Sequence, residues 1–303
     1  MKNKPILVVV LAAAIVAGFV CVWRMQLRLD AARTAVQSEK DELMLRSPGV
    51  VKKLSLEYAP LMGAIYWTRV VQYYGEKHRL GDQNLELLWP LLDITTTLDP
   101  ELVASYRFGA IFLADSPPRG AGDPGRAVIL LKRGIEANPR LWRLYQDLGN
   151  VYYFDMKDYA KASEAFETGG RMPGALPWML TMAAKIAAEG ESLETSYELW
   201  RDIYNTVADK DVHRNAGEHL LMLQAQLDLR EIDRLADQFA KETGRPPKDM
   251  SELVDSGLLS RLPLDPMHFP YVIGEDGKTD LYPKSPLKEE IEREKMQARA
   301  FKR

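Results

Sequence analysis

The chain has almost no cysteine. Cys21 is the only one in 303 residues, so no disulfide can close within one copy and no thiolate metal cluster can be assembled. Histidine is nearly as scarce: His78, His213, His219 and His268 are four in all, and none pairs with another histidine or cysteine at helical spacing. The six residues from His213 to His219 set those two on opposed faces of a helix, so no metal site is expected. An excess of one charge is also missing. Forty basic against 43 acidic residues, net charge −3, spread along the whole chain, leave neither a basic face for nucleic acid nor an acidic tail. The glycine-rich residues 120–125 lack the Gly-Lys-Ser/Thr that would hold a phosphate, so they read as a loop and imply no nucleotide. With no serine elbow and no carboxylate pair in a recognisable frame, the chain is expected to have no catalytic, cofactor-binding or metal-binding residues.

What the chain does have is a long apolar run. Residues 6–23 are eighteen in succession without a charge, enough as a helix to cross about 27 Å of hydrocarbon. A cleaved signal peptide would need a small-x-small site after the core, where Cys21, Val22, Trp23 and Arg24 stand. Val20 before Cys21 does not suit lipidation, and Trp23 does not suit prepilin processing after Gly18. Residues 5–23 are therefore expected to be a transmembrane anchor. Lys2 and Lys4 on one side and Arg24, Arg28 and Arg33 on the other leave the positive-inside count undecided. The short basic tail, 1–4, favours the signal-anchor layout, which puts the tail in the cytoplasm and the bulk of the chain in the periplasm of a bacterial inner membrane. Residues 24–53 read as a helical stalk, with Leu29, Ala32, Val36 and Leu43 at helical spacings up to a stop near Ser47, Pro48 and Gly49. A solvated single helix and a paired coil both fit, so a homo-oligomer stays open.

Beyond the stalk, residues 54–229 carry a recurring pattern. Ala127, Leu131, Gly134 and Pro139 stand at offsets 0, 4, 7 and 12, and Ala162, Phe166 and Gly169 repeat the first three. Leu148, Gly149 and Tyr152 lie between, a large, small and large trio that lets one helix approach its partner closely. The small first-helix residues Gly109, Gly149 and Ala184 are 40 and 35 residues apart. This resembles the tetratricopeptide repeat, a helical hairpin of ~34 residues. One degenerate repeat is expected over 54–100 with its turn at Gly81 and Asp82. A second is interrupted at 115–125 by three prolines and three glycines, which no helix tolerates. A third, over 141–172, has one additional residue near Lys157 and Asp158, and a fourth covers 178–207. A helix over 212–229 would close the stack.

From Glu231 the character changes. A helix over 232–243 leads into Gly244, Arg245 and Pro246; Asp265, Pro266, Met267, His268, Phe269, Pro270 and Tyr271 follow, and Asp276 and Gly277 make a hairpin turn before Leu281 and Tyr282. This order resembles the small tail of type II secretion pseudopilins, with His268 where that pattern has glycine. The module is placed at 230–285, and 286–303 is a charged tail, a solvated helix or frayed end in which Glu289 and Arg293 pair. Glu275, Asp276 and Asp280 gather near the hairpin where pseudopilin tails can bind calcium, although turn chemistry accounts for these acids without an ion.

The fold expected is thus all-α, a TPR-like α-solenoid of antiparallel helix pairs, with an N-terminal transmembrane helix and a small α+β C-terminal module. The resemblance implies that first-helix side chains line a concave face that holds a protein partner. Gln146, Asn150 and Tyr153 on one helix stripe are the expected partner-binding residues, with Arg107 and Lys185 beside them. The function implied is a membrane-anchored adaptor for another envelope protein in secretion or pilus assembly. The alternative is a structural accessory subunit that contacts a larger complex through its anchor or convex face.

Overall fold

The computed structural model describes residues 18–20, 22–26, 47–274 and 277–301, side chains through 296. The transmembrane helix expected over 5–23 and the stalk expected over 24–53 therefore lie outside the described residues, apart from 18–20, 22–26 and 47–53. Among the described residues no helix is long and apolar enough to cross a membrane. The chain is mostly helical, with one two-stranded antiparallel sheet near the C-terminus. It divides into two compact units, residues 1–77 with 84–99, and residues 78–83 with 100–303.

The first unit contains α1 (Pro48–Ser55), a tight turn at Leu56–Tyr58, most of α2 (Ala59–Leu80) and α3 (Leu88–Leu98). Pro48 opens α1 where a missing N–H costs nothing. Leu56, with φ 50°, ends it. Leu88, Leu91, Leu92, Ile94 and Leu98 bury the apolar stripe of α3. A Cβ on Gly63 would come 2.7 Å from that of Asp99, so only glycine lets α2 pass the end of α3. The hydroxyl of Tyr73 donates to the Asn84 carbonyl at 3.1 Å and accepts from the Leu87 N–H at 3.4 Å, which ties the approach to α3 back to α2.

The second unit opens with a row of helices in which each packs on the next: α4 (Val103–Ala114), α5 (Pro124–Ala137), α6 (Trp142–Asn150), α7 (Tyr159–Gly170), α8 (Trp178–Glu189), α9 (Leu193–Thr206) and α10 (Lys210–Thr243). Their starts are written in the sequence. Asp123, Asp158 and Asp209 each accept backbone N–H groups that the first turn leaves unpaired. The small residues mark close crossings. A Cβ on Gly134 would sit 2.8 Å from the Tyr106 ring, one on Gly149 2.7 Å from the Phe166 ring, and one on Gly169 2.8 Å from the Cβ of Tyr145. Where serine replaces alanine at such a place its hydroxyl is satisfied across the interface: Ser163 donates to the Ala183 carbonyl and Ser196 to the Ala184 carbonyl, both at 2.8 Å.

Two local expectations shift. The additional residue of the third repeat is absorbed in a π-helical turn, Val151–Asp155, upstream of the expected place, and Lys157 then turns the chain with φ 55°. The proline and glycine insertion folds back on the end of α4: Ala121, Gly122 and Asp123 donate to the carbonyls of Phe112, Asp115 and Leu113 at 2.9, 2.9 and 2.7 Å.

The break expected at Glu231 is absent. The helices expected over 212–229 and 232–243 are one helix, α10, 34 residues long, because nothing from Asp228 to Arg234 is glycine or proline. Met222, Ala225, Ile232 and Phe239 of α10 share one apolar cluster with Met250 and Leu253 of α11 (Met250–Asp255), Tyr271 of β1 (Tyr271–Ile273), Leu281 of β2 (Thr279–Leu281), and Leu287 and Ile291 of α12 (Pro286–Phe301). The strands pair Tyr271 with Leu281 and Ile273 with Thr279. The C-terminal segment is therefore not a solvated tail: Leu287 and Ile291, four apart, anchor it, and Arg293 pairs with Glu290 instead of Glu289. His268 turns the chain with φ 66°, in the left-handed region that favours glycine. It follows Asp265, 2% exposed, whose carboxylate takes the N–H groups of Met267 and Phe269 and the Ser285 hydroxyl. Glu275 and Asp276 lie outside the described residues, and Asp280 is paired with Lys288.

Candidate functional site

The expected partner-binding residues fall on α4, α6 with its π-helical extension, and α8, and they are joined into a row by two carboxylates that the sequence reading did not single out. Arg107 of α4 grips Asp147 of α6, Nε to Oδ2 at 2.5 Å and Nη2 to Oδ1 at 3.2 Å. The Asp147 side chain is 12% exposed, so this two-pronged pair is largely withdrawn from water. Its hydrogen bond raises the pKa of a guanidinium that is charged at any ordinary pH. Gln146 and Asn150, both half-buried, lie on α6 beside it.

Tyr153 is buried, and its hydroxyl donates to Glu189 Oε2 of α8 at 2.8 Å. Burial first, and then that bond, push the phenol well above its ordinary range, so it is a permanent donor. Its ring meets those of Phe154 and Tyr159 edge to face, at 4.8 and 5.8 Å between centroids. Two aspartates lie near each other at the ends of α4 and the π-helical turn. Burial first, and then the Asp115 charge, raise the Asp155 carboxyl.

Lys185, exposed on α8 one turn before Glu189, extends the row towards α10. There His219 is buried, stacked on Trp200 of α9 with centroids 4.1 Å apart and planes 15° from parallel, and its Nδ1 is 3.3 Å from Glu294 Oε1 of α12. Burial first, and then the Lys185 charge, lower the imidazole pKa to about 4, so His219 is neutral at pH 7. Burial raises the Glu294 carboxyl. His213, by contrast, faces Tyr204, with centroids 3.9 Å apart.

The structure thus pairs Arg107 with Asp147 and Tyr153 with Glu189, contacts absent from the sequence reading, and sets Lys185 close enough to His219 and Glu294 for its charge to act on both. A signal for two of them was there. Asp147 follows Arg107 by 40 residues and Glu189 follows Tyr153 by 36, close to the intervals between successive small residues. His219 and Glu294 come from elements of different character and have no such signal.

The row presents amides, a cation and paired acids, with no arrangement of nucleophile and base. Among the described residues no group of three or more His, Cys, Asp or Glu side chains is placed to hold a metal ion. A shallow polar cleft lies elsewhere, between α7 and α9, where Arg171 is held by Asp202 at 2.9 Å and by Glu167 at 3.1 Å. No family model matches the chain, and no curated protein matches its sequence.

Proposed function

We propose that the chain is a tetratricopeptide-type adaptor, anchored in a bacterial inner membrane by residues 5–23, that holds a segment of another envelope protein on the first helices of its repeats in the periplasm. The observation that carries this reading is the row from Arg107 through Asp147, Tyr153 and Glu189 to Lys185. It crosses three first helices and links neighbours to one another instead of converging on a reacting atom. These pairs brace the three helices, and the groups beside them that stay accessible are the ones a peptide segment can meet. The half-buried amides of Gln146 and Asn150 suit backbone groups, and Lys185 suits an acidic side chain. The pseudopilin-like order from Gly244 to Tyr282 directs the proposal to secretion or pilus machinery, with no catalytic role.

The test is affinity capture from detergent-solubilised membranes with the full chain, followed by mass spectrometry. Partners held by this face are lost when Gln146→Ala, Asn150→Ala and Lys185→Glu are combined, while Arg201→Glu, exposed on α9, leaves them in place. Equal capture by both variants overturns the reading. Protease access to the bulk of the chain in intact spheroplasts tests the side of the membrane.

A further inference from the structure

The outward face of α1 and the start of α2 is apolar where a solvated helix would be charged. Leu54, Leu56, Tyr58, Leu61 and Ile65 are 67%, 78%, 69%, 59% and 45% exposed. Leu61 and Ile65, four apart, lie on one side of α2, and Leu54, Leu56 and Tyr58 lead into it from the end of α1 and the tight turn, a short apolar stripe at the entry to α2. The opposite side of α2 is already committed, since Ala59, Gly63, Tyr66 and Val70 are buried. The stripe is therefore a second apolar face, of the kind that monomeric proteins seldom leave in water.

Its charges say what covers it. From Leu54 to Thr68 the only charged residue is Glu57, while Lys52 and Lys53 stand exposed at one end and Arg69 at the other. The Arg69 guanidinium lies 5.6 Å from the centre of the Tyr66 ring. A second copy is a poor cover: its matching face offers Lys52, Lys53 and Arg69 no carboxylate except Glu57, and a parallel pairing would align each cation with its own counterpart. An apolar stripe with cations at both ends matches a lipid surface bearing negative headgroups. We infer that this face of the first unit rests on an anionic membrane, with Leu54, Leu56, Tyr58, Leu61 and Ile65 entering the headgroup boundary and Lys52, Lys53 and Arg69 meeting lipid phosphates. The contact goes beyond the anchor proposed for residues 5–23 and needs only a bilayer nearby.

The experiment uses the full chain carrying Cys21→Ser and Leu61→Cys, labelled at position 61 with an environment-sensitive nitrobenzoxadiazole dye. It is added to vesicles of phosphatidylcholine alone, or mixed about two to one with phosphatidylglycerol. In the mixed vesicles the emission moves to the blue and a lipid-borne quencher reaches the dye. The combined Lys52→Glu, Lys53→Glu and Arg69→Glu variant weakens that response about tenfold or more. A dye at Arg201→Cys stays in water throughout. The inference is overturned if the dye at 61 remains in water in mixed vesicles, if its response ignores phosphatidylglycerol, or if it turns apolar with rising protein concentration in the absence of lipid, which would identify a second copy as the cover. Flotation with the vesicles scores the anchor separately, so the two proposals can fail independently.

Discussion

Arg107 and Asp147, 40 residues apart, meet as a two-pronged ion pair between α4 and α6. The carboxylate is the more buried partner, 12% exposed against 35% for the guanidinium. Removing the arginine therefore strands a charge, whereas removing the aspartate leaves a cation that can reach water. Arg107→Ala is expected to cost about 2 kcal/mol and Asp147→Ala about 1 kcal/mol, with a coupling of about 1 kcal/mol in the double-mutant cycle. Urea denaturation followed by circular dichroism checks it, and zero coupling would show the pair to be incidental.

Much of the helical row was legible because its cause is local. Asp158 caps a helix and glycine at 134 and 149 announces where rings of neighbouring helices press closest, whereas Pro124 and Gly125, read as part of the loop 115–125, form the first turn of α5. The turns at Gly244, Asp265 and Gly277 were legible for the same reason, their local chemistry. What was hidden depends on distant partners. That the far half of α10 packs against the hairpin follows from an apolar cluster assembled from five elements, and that 286–301 is a packed helix follows from Leu287 and Ile291 finding that cluster. In the candidate site, Gln146 and Asn150 could be placed by periodicity, but Glu294 lies 75 residues beyond His219 on another element, and no local pattern joins them.

Gly149→Ala sets two effects against each other. Alanine favours the helix by about 1 kcal/mol, yet its Cβ would lie 2.7 Å from two atoms of the Phe166 ring, which is itself 1% exposed and cannot withdraw. Overpacking wins, for a net loss of about 1–2 kcal/mol. Phe166→Leu in the same chain recovers part of it. Thermal unfolding of the two variants and the parent decides the matter, and a more stable single variant would mean that the helices can separate at no cost.

His268 holds φ 66° at the place where the resembling motif has glycine. His268→Gly relieves a left-handed conformation and is expected to stabilise by about 0.5–1 kcal/mol, less whatever freedom glycine adds to the unfolded chain. His268→Val should lose at least about 1 kcal/mol, because branching at Cβ worsens the same crowding. Chemical denaturation of the three chains gives the order.

The imidazole of His219, lowered to about 4, titrates below its unfolded range near 6.5. In the window from about 6.5 to 4 the unfolded chain binds the proton and the folded one does not, so stability falls as pH falls through it. The loss is about 2 kcal/mol once partial screening is allowed for. His219→Phe, which can keep the stack on Trp200, should remove this slope and leave that of the carboxylates. Denaturation midpoints at pH 7 and pH 4.5 supply the comparison.

Because one 34-residue helix, α10, gives Met222 and Phe239 to a single apolar cluster, the helical row and the C-terminal hairpin are built on one shared core. Severing the backbone at residue 230 would yield two fragments with raw, sticky edges, neither of them a domain.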